Sequence, residues 1–577
     1  MNEAVMTVFG LIGGLAMFLF GMNSMSDALQ KAAGEKMKKI LGFLTKNPIM
    51  GALAGALVTA VLQSSSATTV MVIGFVSAGL MTLPQAISVI FGANIGTTMT
   101  AQLMAFKITD YIYPIIFIGF MIYFVGKKER VKNIGMVILS FGLLFEGIEI
   151  MGSVMKPLAS SPVFIDLMGK VSEIPALGIV LGAVMTLVVQ SSSATIAVLQ
   201  NFASQAGPDG VTSVMGLTGA IPILLGDNIG TTITALLASI GQSKSAKRTA
   251  LSHSIFNITG SIVFAFLLKP FAAFITFISP SGNEVDVIAR QIANAHTTFN
   301  VVCTLIWLPL IPLMVKIVTT LVRGEDTRER EAFQPQFLDN KIIDQPVAAM
   351  YVISQEINRC ADFAESMLVS AKEVLSGKES GAGGFDELHE TVKRLQNSIT
   401  TYITKLFARG VLTESQSEQT AGLLYIANSI DRIADRSEEV TQQVRALQSS
   451  DKNLSGTAYR DLEKCYVIAI HMLQSAMQAV RNNDTELAQK MLQNRKKMRK
   501  AQKRFQKAHL ARVKEGECDA SLTADFANIL YGLDRMVDSC AGIAEEALEH
   551  TVFVTLEETT SEDILPDTAQ IAVQPLM

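Results

Sequence analysis

Gln63-Ser64-Ser65-Ser66-Ala67-Thr68-Thr69 interrupts the middle of an otherwise apolar stretch, Pro48–Leu80, and returns almost unchanged as Gln190-Ser191-Ser192-Ser193-Ala194-Thr195-Ile196 in the middle of another, Pro175–Ala206. Apolar runs of this length are long enough to enter a bilayer. A block of hydrogen-bonding side chains at such a depth is costly unless protein or water satisfies it. A second pair follows in the same order: Gly92-Ala93-Asn94-Ile95-Gly96-Thr97-Thr98 recurs as Gly226-Asp227-Asn228-Ile229-Gly230-Thr231-Thr232. Two motifs duplicated in one order define an internal repeat, in which a span, a QSSS segment, a G-x-NIGTT span and a further span follow one another. The glycines flanking the asparagines (Gly92, Gly96, Gly226, Gly230) are expected to open the helix and free carbonyls for a cation.

The surroundings agree with a membrane setting. Of 577 residues, 49% are hydrophobic and only 17% charged, and the mean hydropathy is +0.35. A soluble chain of this length carries more charge. Up to about Leu321 long apolar stretches dominate, and from Arg323 the chain is charged and helix-forming. The net charge of −4 averages two unlike halves. Five scattered cysteines (Cys303, Cys360, Cys465, Cys518, Cys540) form no CxxC, which argues against a disulfide framework or a zinc site. Val5–Met25 lacks a basic n-region and a small-residue cleavage site, and reads as a retained span.

Spans are expected near Val5–Met25, Leu83–Phe106, Tyr111–Val125, Ile134–Ile150, Ser213–Ile240, Ser254–Phe277 and Ile292–Val322. Basic clusters at Lys31 to Lys46, Lys127 to Lys132, Lys244 to Arg248 and Arg323 to Arg330 belong on the cytoplasmic side. An even number of crossings must separate successive clusters. Pro48–Leu80 and Pro175–Ala206 therefore enter and leave on one side each, as two re-entrant helical hairpins facing opposite ways. The N-terminus then lies outside and the C-terminal half in the cytoplasm. The predicted architecture is all-α: a polytopic membrane domain over 1–322, built of inverted repeats at about 5–126 and 133–280 with an extra span at about 292–322. A linker over 323–347, a soluble helical domain over 348–550 and an acidic, disordered tail over 551–577 complete it.

No Lys or Arg falls within a motif, and the main carboxylates in or bordering spans are Glu146, Glu149 and Asp227. An anion would therefore be held by hydroxyls, by the amides of Gln63, Gln190, Asn94 and Asn228, and by N–H groups at broken helix starts. A divalent oxyanion in such a site needs neutralising charge. Cations entering with it would supply that charge, and coupled transport of anion and cation follows. Small-residue helix packing is the plain alternative reading for the serines and threonines. No nucleophile–base pair, P-loop or nucleotide fingerprint supports an enzyme, and no nucleic-acid partner is expected.

The duplicated QSSSAT and G-x-NIGTT resemble the type II sodium/phosphate cotransporter family, over roughly Val5 to Val322 and in a bacterial architecture. The resemblance implies sodium-driven phosphate uptake across the inner membrane, with Na⁺ as coupling ion and both ions held between the two QSSS segments. The residues it marks are Gln63, Ser64, Ser65, Ser66, Thr68, Thr69, Asn94, Thr97 and Thr98, with Gln190, Ser191, Ser192, Ser193, Thr195, Asn228, Thr231 and Thr232. Ile196 stands where the first repeat has Thr69. A third pair, Ser252-His253-Ser254-Ile255-Phe256-Asn257 and Ala295-His296-Thr297-Thr298-Phe299-Asn300, opens two spans. Asn257 and Asn300 are candidates for the ion path; packing at a helix entry with a satisfied histidine is the alternative. Sulfate or arsenate in place of phosphate, and a phosphate sensor that does not translocate, also remain open.

In the C-terminal half six helices are expected, near Ala348–Leu375, Phe385–Arg409, Gln416–Leu447, Thr457–Asn482, Asp484–Val513 and Ala524–His550, as two three-helix bundles. Asp431-Arg432-Ile433-Ala434-Asp435 recurs as Asp534-Arg535-Met536-Val537-Asp538, which resembles the repeated acidic motif of the PhoU family. That resemblance implies regulation of phosphate uptake, a homodimer or other regulatory partner, and in some members a divalent metal. The candidate ligands are Asp431, Asp435 and Glu439 on one helix face and Asp534 and Asp538 on another. Salt-bridge partners for Arg432 and Arg535, or a solvated acidic stripe, are the alternatives.

Overall fold

The computed structural model describes residues 3–42, 47–106, 108–159, 170–171, 174–207, 209–324, 334–377, 382–449, 454–549, 551 and 553–554. Lys46, the charge run from 325 and the acidic tail beyond 554 lie outside them. The described residues are helical with no strand; one isolated bridge joins Ala206 and Ser213. They fall into two compact units, Met1–Asp326 and Thr327–Met577.

The first unit holds α1 (Glu3–Gly42), α2 (Pro48–Leu62), α3 (Ser65–Ser77), α4 (Leu83–Met104), α5 (Ile112–Val125), α6 (Glu129–Ala159), α7 (Pro175–Val189), α8 (Ser192–Ala203), α9 (Gly216–Ala238), α10 (Lys244–Phe266), α11 (Leu268–Ile278), α12 (Glu284–Trp307) and α13 (Ile311–Leu321). Met6–Ala33, Glu129–Met155, Gly216–Ala238 and Lys244–Phe266 are each long and apolar enough to cross a bilayer. The unit is apolar on the outside: Phe20, Phe117, Phe124, Val188, Phe266 and Phe277 are exposed. Asn94, Asp227, Asn228, His253, Asn257, His296 and Asn300 are buried. Hydrocarbon as the surrounding solvent accounts for that inversion.

Two expected spans are not single helices. Ile292–Val322 is divided between α12 and α13, which meet at 86°. Pro309 and Pro312 withdraw two backbone donors there and crowd the preceding turn. Ser254–Phe277 is likewise divided at Leu267, just ahead of Pro270. The glycines of the two G-x-NIGTT segments also act differently from expectation. α4 and α9 run unbroken through Asn94 and Asn228, so no carbonyl is freed. A Cβ at Gly92 would strike the Ala52 carbonyl and one at Gly226 the Ile179 carbonyl. These glycines let α2 lie directly on α4, and α7 on α9.

The second unit contains α14 (Pro346–Leu375), α15 (Ala382–Ala408), α16 (Glu414–Gln448), α17 (Gly456–Asn482), α18 (Thr485–Lys514) and α19 (Thr523–Leu548). Apolar residues at helical spacing build the core, among them Ile353, Ile357, Leu395, Ile399 and Ile430 in the first three helices. Leu462, Tyr466, Phe526 and Leu533 do so in the last three. α16 and α19, the helices that carry the repeated acidic motif, pack against each other and join the two triplets.

Candidate functional site

Each QSSS segment breaks a helix in the same way. Gln63 (φ 51°) and Gln190 (φ 57°) adopt the left-handed conformation that ends α2 and α7. Ser64 and Ser191 follow in extended backbone and cap the next helix, accepting from the N–H of Ala67 at 3.1 Å and of Ala194 at 3.3 Å. Across each break, hydroxyls nine residues apart meet: Thr59 with Thr68 at 2.9 Å and Thr186 with Thr195 at 3.0 Å. With 15 and 13 residues, α2 and α3 reach about 22 and 20 Å, short of a hydrocarbon core of about 30 Å. Each break leaves the start of a helix within the membrane unit, where the serine cap takes up one of its first N–H groups.

The G-x-NIGTT helices pass beside these breaks. Thr100 donates to the Gln63 side-chain oxygen at 2.8 Å. Thr234, at the matching position of the second repeat, instead lies 3.1 Å from the Ser66 hydroxyl of the first. Asn94 and Asn228 each donate to a carbonyl of their own helix and turn their oxygen toward a histidine. The Nε2–H of His253 donates to Asn94 at 3.0 Å and that of His296 to Asn228 at 3.3 Å. Asn300 Nδ2 approaches Asn228 at 3.5 Å. Asn257 and Asn300 donate to the carbonyls of His253 and His296, one turn earlier, and keep buried oxygens without partners among the described residues. Of the expected site residues, Asn228 and Asn300 approach each other, while Gln63, Ser66, Thr68, Asn94 and Thr195 each bond to a residue outside the expected set. Thr98, Thr231 and Thr232 turn their hydroxyls onto carbonyls of their own helices, and the Gln190 side chain is exposed.

Several residues of this interior lie outside the expected set, among them Thr59, Thr100, Thr186, Thr234, His253 and His296. His253 and His296 are not satisfied at a helix entry but hold the two asparagines in the core. Their duplication in an H-x-x-x-N pattern was the available signal. Thr186 was also missed, though it precedes Gln190 as Thr59 precedes Gln63, by four residues in both cases.

In the second unit the two acidic motifs have different partners. Asp435 lies 3.0 Å from His389 Nε2 and 2.8 Å from Lys393 Nζ, while His389 Nδ1 lies 3.2 Å from Glu438. Burial works against the charge of Asp435, but the hydrogen bonds from Lys393 and His389 hold its carboxyl below the usual range. Burial, with the charge of Asp435 beside it, pushes Asp431 up. His389, Asp435 and Glu438 present ligand atoms within 4.8 Å of one another and fit a divalent ion. Glu439 is not part of that group; it pairs with Arg436. Asp538 is held at 2.8 Å by Arg495, at 3.2 Å by Arg499 and at 3.4 Å by Arg535. Three guanidinium groups already supply the charge a metal would bring, so the expected Asp534–Asp538 metal site does not fit. Asp534 itself is pushed up by burial and by the neighbouring Asp538.

Two consecutive stretches of the first unit, 17–153 and 154–279, match the family described as Na+/Pi-cotransporter, and 357–444 and 462–547 match the PhoU domain. A Bacillus subtilis protein printed as "Uncharacterized protein YqeW" is 32% identical over 305 residues, 53% of this chain and 95% of its own. The chain belongs to the Na+/Pi-cotransporter family. It is a multi-pass membrane protein of that family, fused to a helical PhoU domain. A Salmonella typhimurium protein named "Putative inorganic phosphate export protein YjbB" is 23% identical over 557 residues, 94% of this cotransporter-family chain and 98% of its own. A shorter likeness, 37% identity over 97 residues, connects it to human "Sodium-dependent phosphate transport protein 2B", covering 16% of the chain and 14% of that protein. No solved structure matches.

Proposed function

We propose that this protein is a sodium-coupled phosphate symporter of the bacterial inner membrane, with its N-terminus outside and its PhoU domain in the cytoplasm as regulator. The two helix breaks at Gln63–Ser64 and Gln190–Ser191 carry the reading. Each is a re-entrant tip, and phosphate binds between them through Ser65, Ser66, Ser192 and Ser193 and the N–H groups of α3 and α8. Gln63, Gln190, Asn94 and Asn228, with the hydroxyls of Thr68, Thr97, Thr98, Thr195, Thr231 and Thr232, supply oxygens for sodium. Asn257 and Asn300, with unpartnered buried oxygens, line the ion path. The tips carry no fixed positive charge, so the oxyanion needs cations beside it. A symporter runs in either direction as its gradients dictate. A relative that matches nearly the whole chain, PhoU domain included, is named for phosphate export, which favours efflux as the physiological direction. A divalent ion in the PhoU domain would be held by His389, Asp435 and Glu438 and would displace the Lys393 contact.

Radiolabelled phosphate flux in proteoliposomes, with sodium inside, outside or absent, tests the transport reading: flux indifferent to sodium sinks the coupling. Cysteines placed at Lys128 and Lys247 in a cysteine-free background should label only from the cytoplasmic side. Labelling of either from outside breaks the topology.

A further inference from the structure

The two repeats differ by one charge at the heart of the fold. Where the first has Ala93, the second has Asp227, in Gly-Ala-Asn against Gly-Asp-Asn. Asp227 is 0% exposed. Its Oδ1 accepts a short hydrogen bond from the Thr186 hydroxyl, and Thr186 Oγ1 lies 3.0 Å from Thr195 Oγ1, one turn past the helix break of the second repeat. Its Oδ2 is buried with no hydrogen-bond partner among the described residues. The first repeat has the same hydroxyl pair, Thr59 and Thr68, with no carboxylate beside it.

A carboxylate inside the bilayer is retained only where something offsets its charge. No Lys, Arg or His makes an ion pair with Asp227 among the described residues. A proton on Oδ2 finds no acceptor among the described residues, and a proton on Oδ1, given to Thr186 Oγ1, still leaves Oδ2 buried without a partner. A small cation needs only oxygen lone pairs, and these are present: the free Oδ2, and the Oγ1 atoms of Thr186 and Thr195. One carboxylate among neutral oxygens suits a single positive charge.

We propose that Asp227, Thr186 and Thr195 form a sodium site that exists in the second repeat alone. It deepens the sodium-coupled reading above, and rests on it for the link to transport: the cation bound there neutralises Asp227 at the flank of the second tip and removes the repulsion that the carboxylate would exert on phosphate arriving between the tips. The ion also compensates the only carboxylate of the two G-x-NIGTT segments, so the site is neutral when loaded.

The test is equilibrium binding of radioactive sodium to the purified full chain in detergent, without phosphate, so that it does not depend on transport. Asp227→Asn keeps the shape and removes the charge. It should weaken sodium binding about tenfold or more, or remove one bound ion at saturation. Thr186→Val keeps the carboxylate and removes one ligand, and should weaken binding several-fold; it decides the matter if Asp227→Asn fails to fold. Wild-type sodium affinity and stoichiometry in either folded variant overturns the site, as does a change confined to the pH dependence of flux. Sodium binding that requires Asp227 in a protein that moves no phosphate leaves this site standing and removes the transport reading. Sodium-driven flux unaffected by Asp227→Asn does the reverse.

Discussion

The two repeats of the membrane unit share a backbone plan and differ in how their tips are closed. In the first, Gln63 is buried and fastened by Thr100, and Ser65 is 4% exposed. In the second, Gln190 is exposed, and the matching threonine, Thr234, reaches across to Ser66 of the other repeat. The first repeat neutralises its hydroxyl pair within itself; the second points its pair at Asp227. Duplication supplied two tips, and a few side chains made them unequal.

The largest effect should come from what the repeats have in common. Gly92→Leu and Gly226→Leu each force a side chain into the carbonyl of an adjoining helix. Both should abolish monodisperse protein in size-exclusion chromatography, and to the same degree; a well-folded Gly92→Leu alone would show that the two contacts are not equivalent. Next come the tips. Ser65→Ala and Ser192→Ala should each reduce phosphate affinity by about one to two decades, the loss of a hydrogen bond to a charged group. They should be less than additive when combined, since the proposed site takes both hydroxyls. Uptake at wild-type affinity and rate in either variant removes that hydroxyl from the site.

The hydroxyl pairs give a smaller, graded contrast. Thr186→Val gives up a bond to a carboxylate and should cost about 1.5–3 kcal/mol of stability, against about 0.5–1.5 kcal/mol for Thr59→Val, whose partner is neutral. Thermal unfolding of the two variants in one detergent measures the gap, and equal losses would erase the distinction drawn at Asp227. The smallest effect is in the PhoU domain, where divalent cations should raise the melting temperature of the wild type and of Asp538→Asn alike. His389→Ala should lose that response, because its half lacks the arginine clasp. A response that survives His389→Ala moves the metal elsewhere.

Much of the candidate site was legible because duplication marks it. QSSS and NIGTT stand out as polar blocks in apolar surroundings, and the helix breaks fall on the first of them, while α4 and α9 run unbroken through the second. The histidines were legible as a motif and not as contacts: His253 lies far along the chain from Asn94, and no spacing rule connects residues on different helices. The glycines misled for a related reason. A glycine in a span serves equally to break a helix or to admit a neighbour, and only the position of α2 against α4 shows the second use. In the PhoU domain the i, i+4 rule grouped Asp435 with Glu439. The side chain that turns toward His389 is Glu438, three residues on, because α15 lies on that side of α16.

The sequence by itself determined that the chain is helical and repeated, and where its polar blocks interrupt apolar runs. Those are local matters, governed by side-chain polarity and backbone sterics within a turn or two. Which polar groups meet was decided only in three dimensions. Pairings such as His253 with Asn94, Thr186 with Asp227 and Ser66 with Thr234 depend on the crossing of helices remote in the chain. Burial raises the cost of an unpartnered polar group, and packing alone settles which partner is near enough to satisfy it.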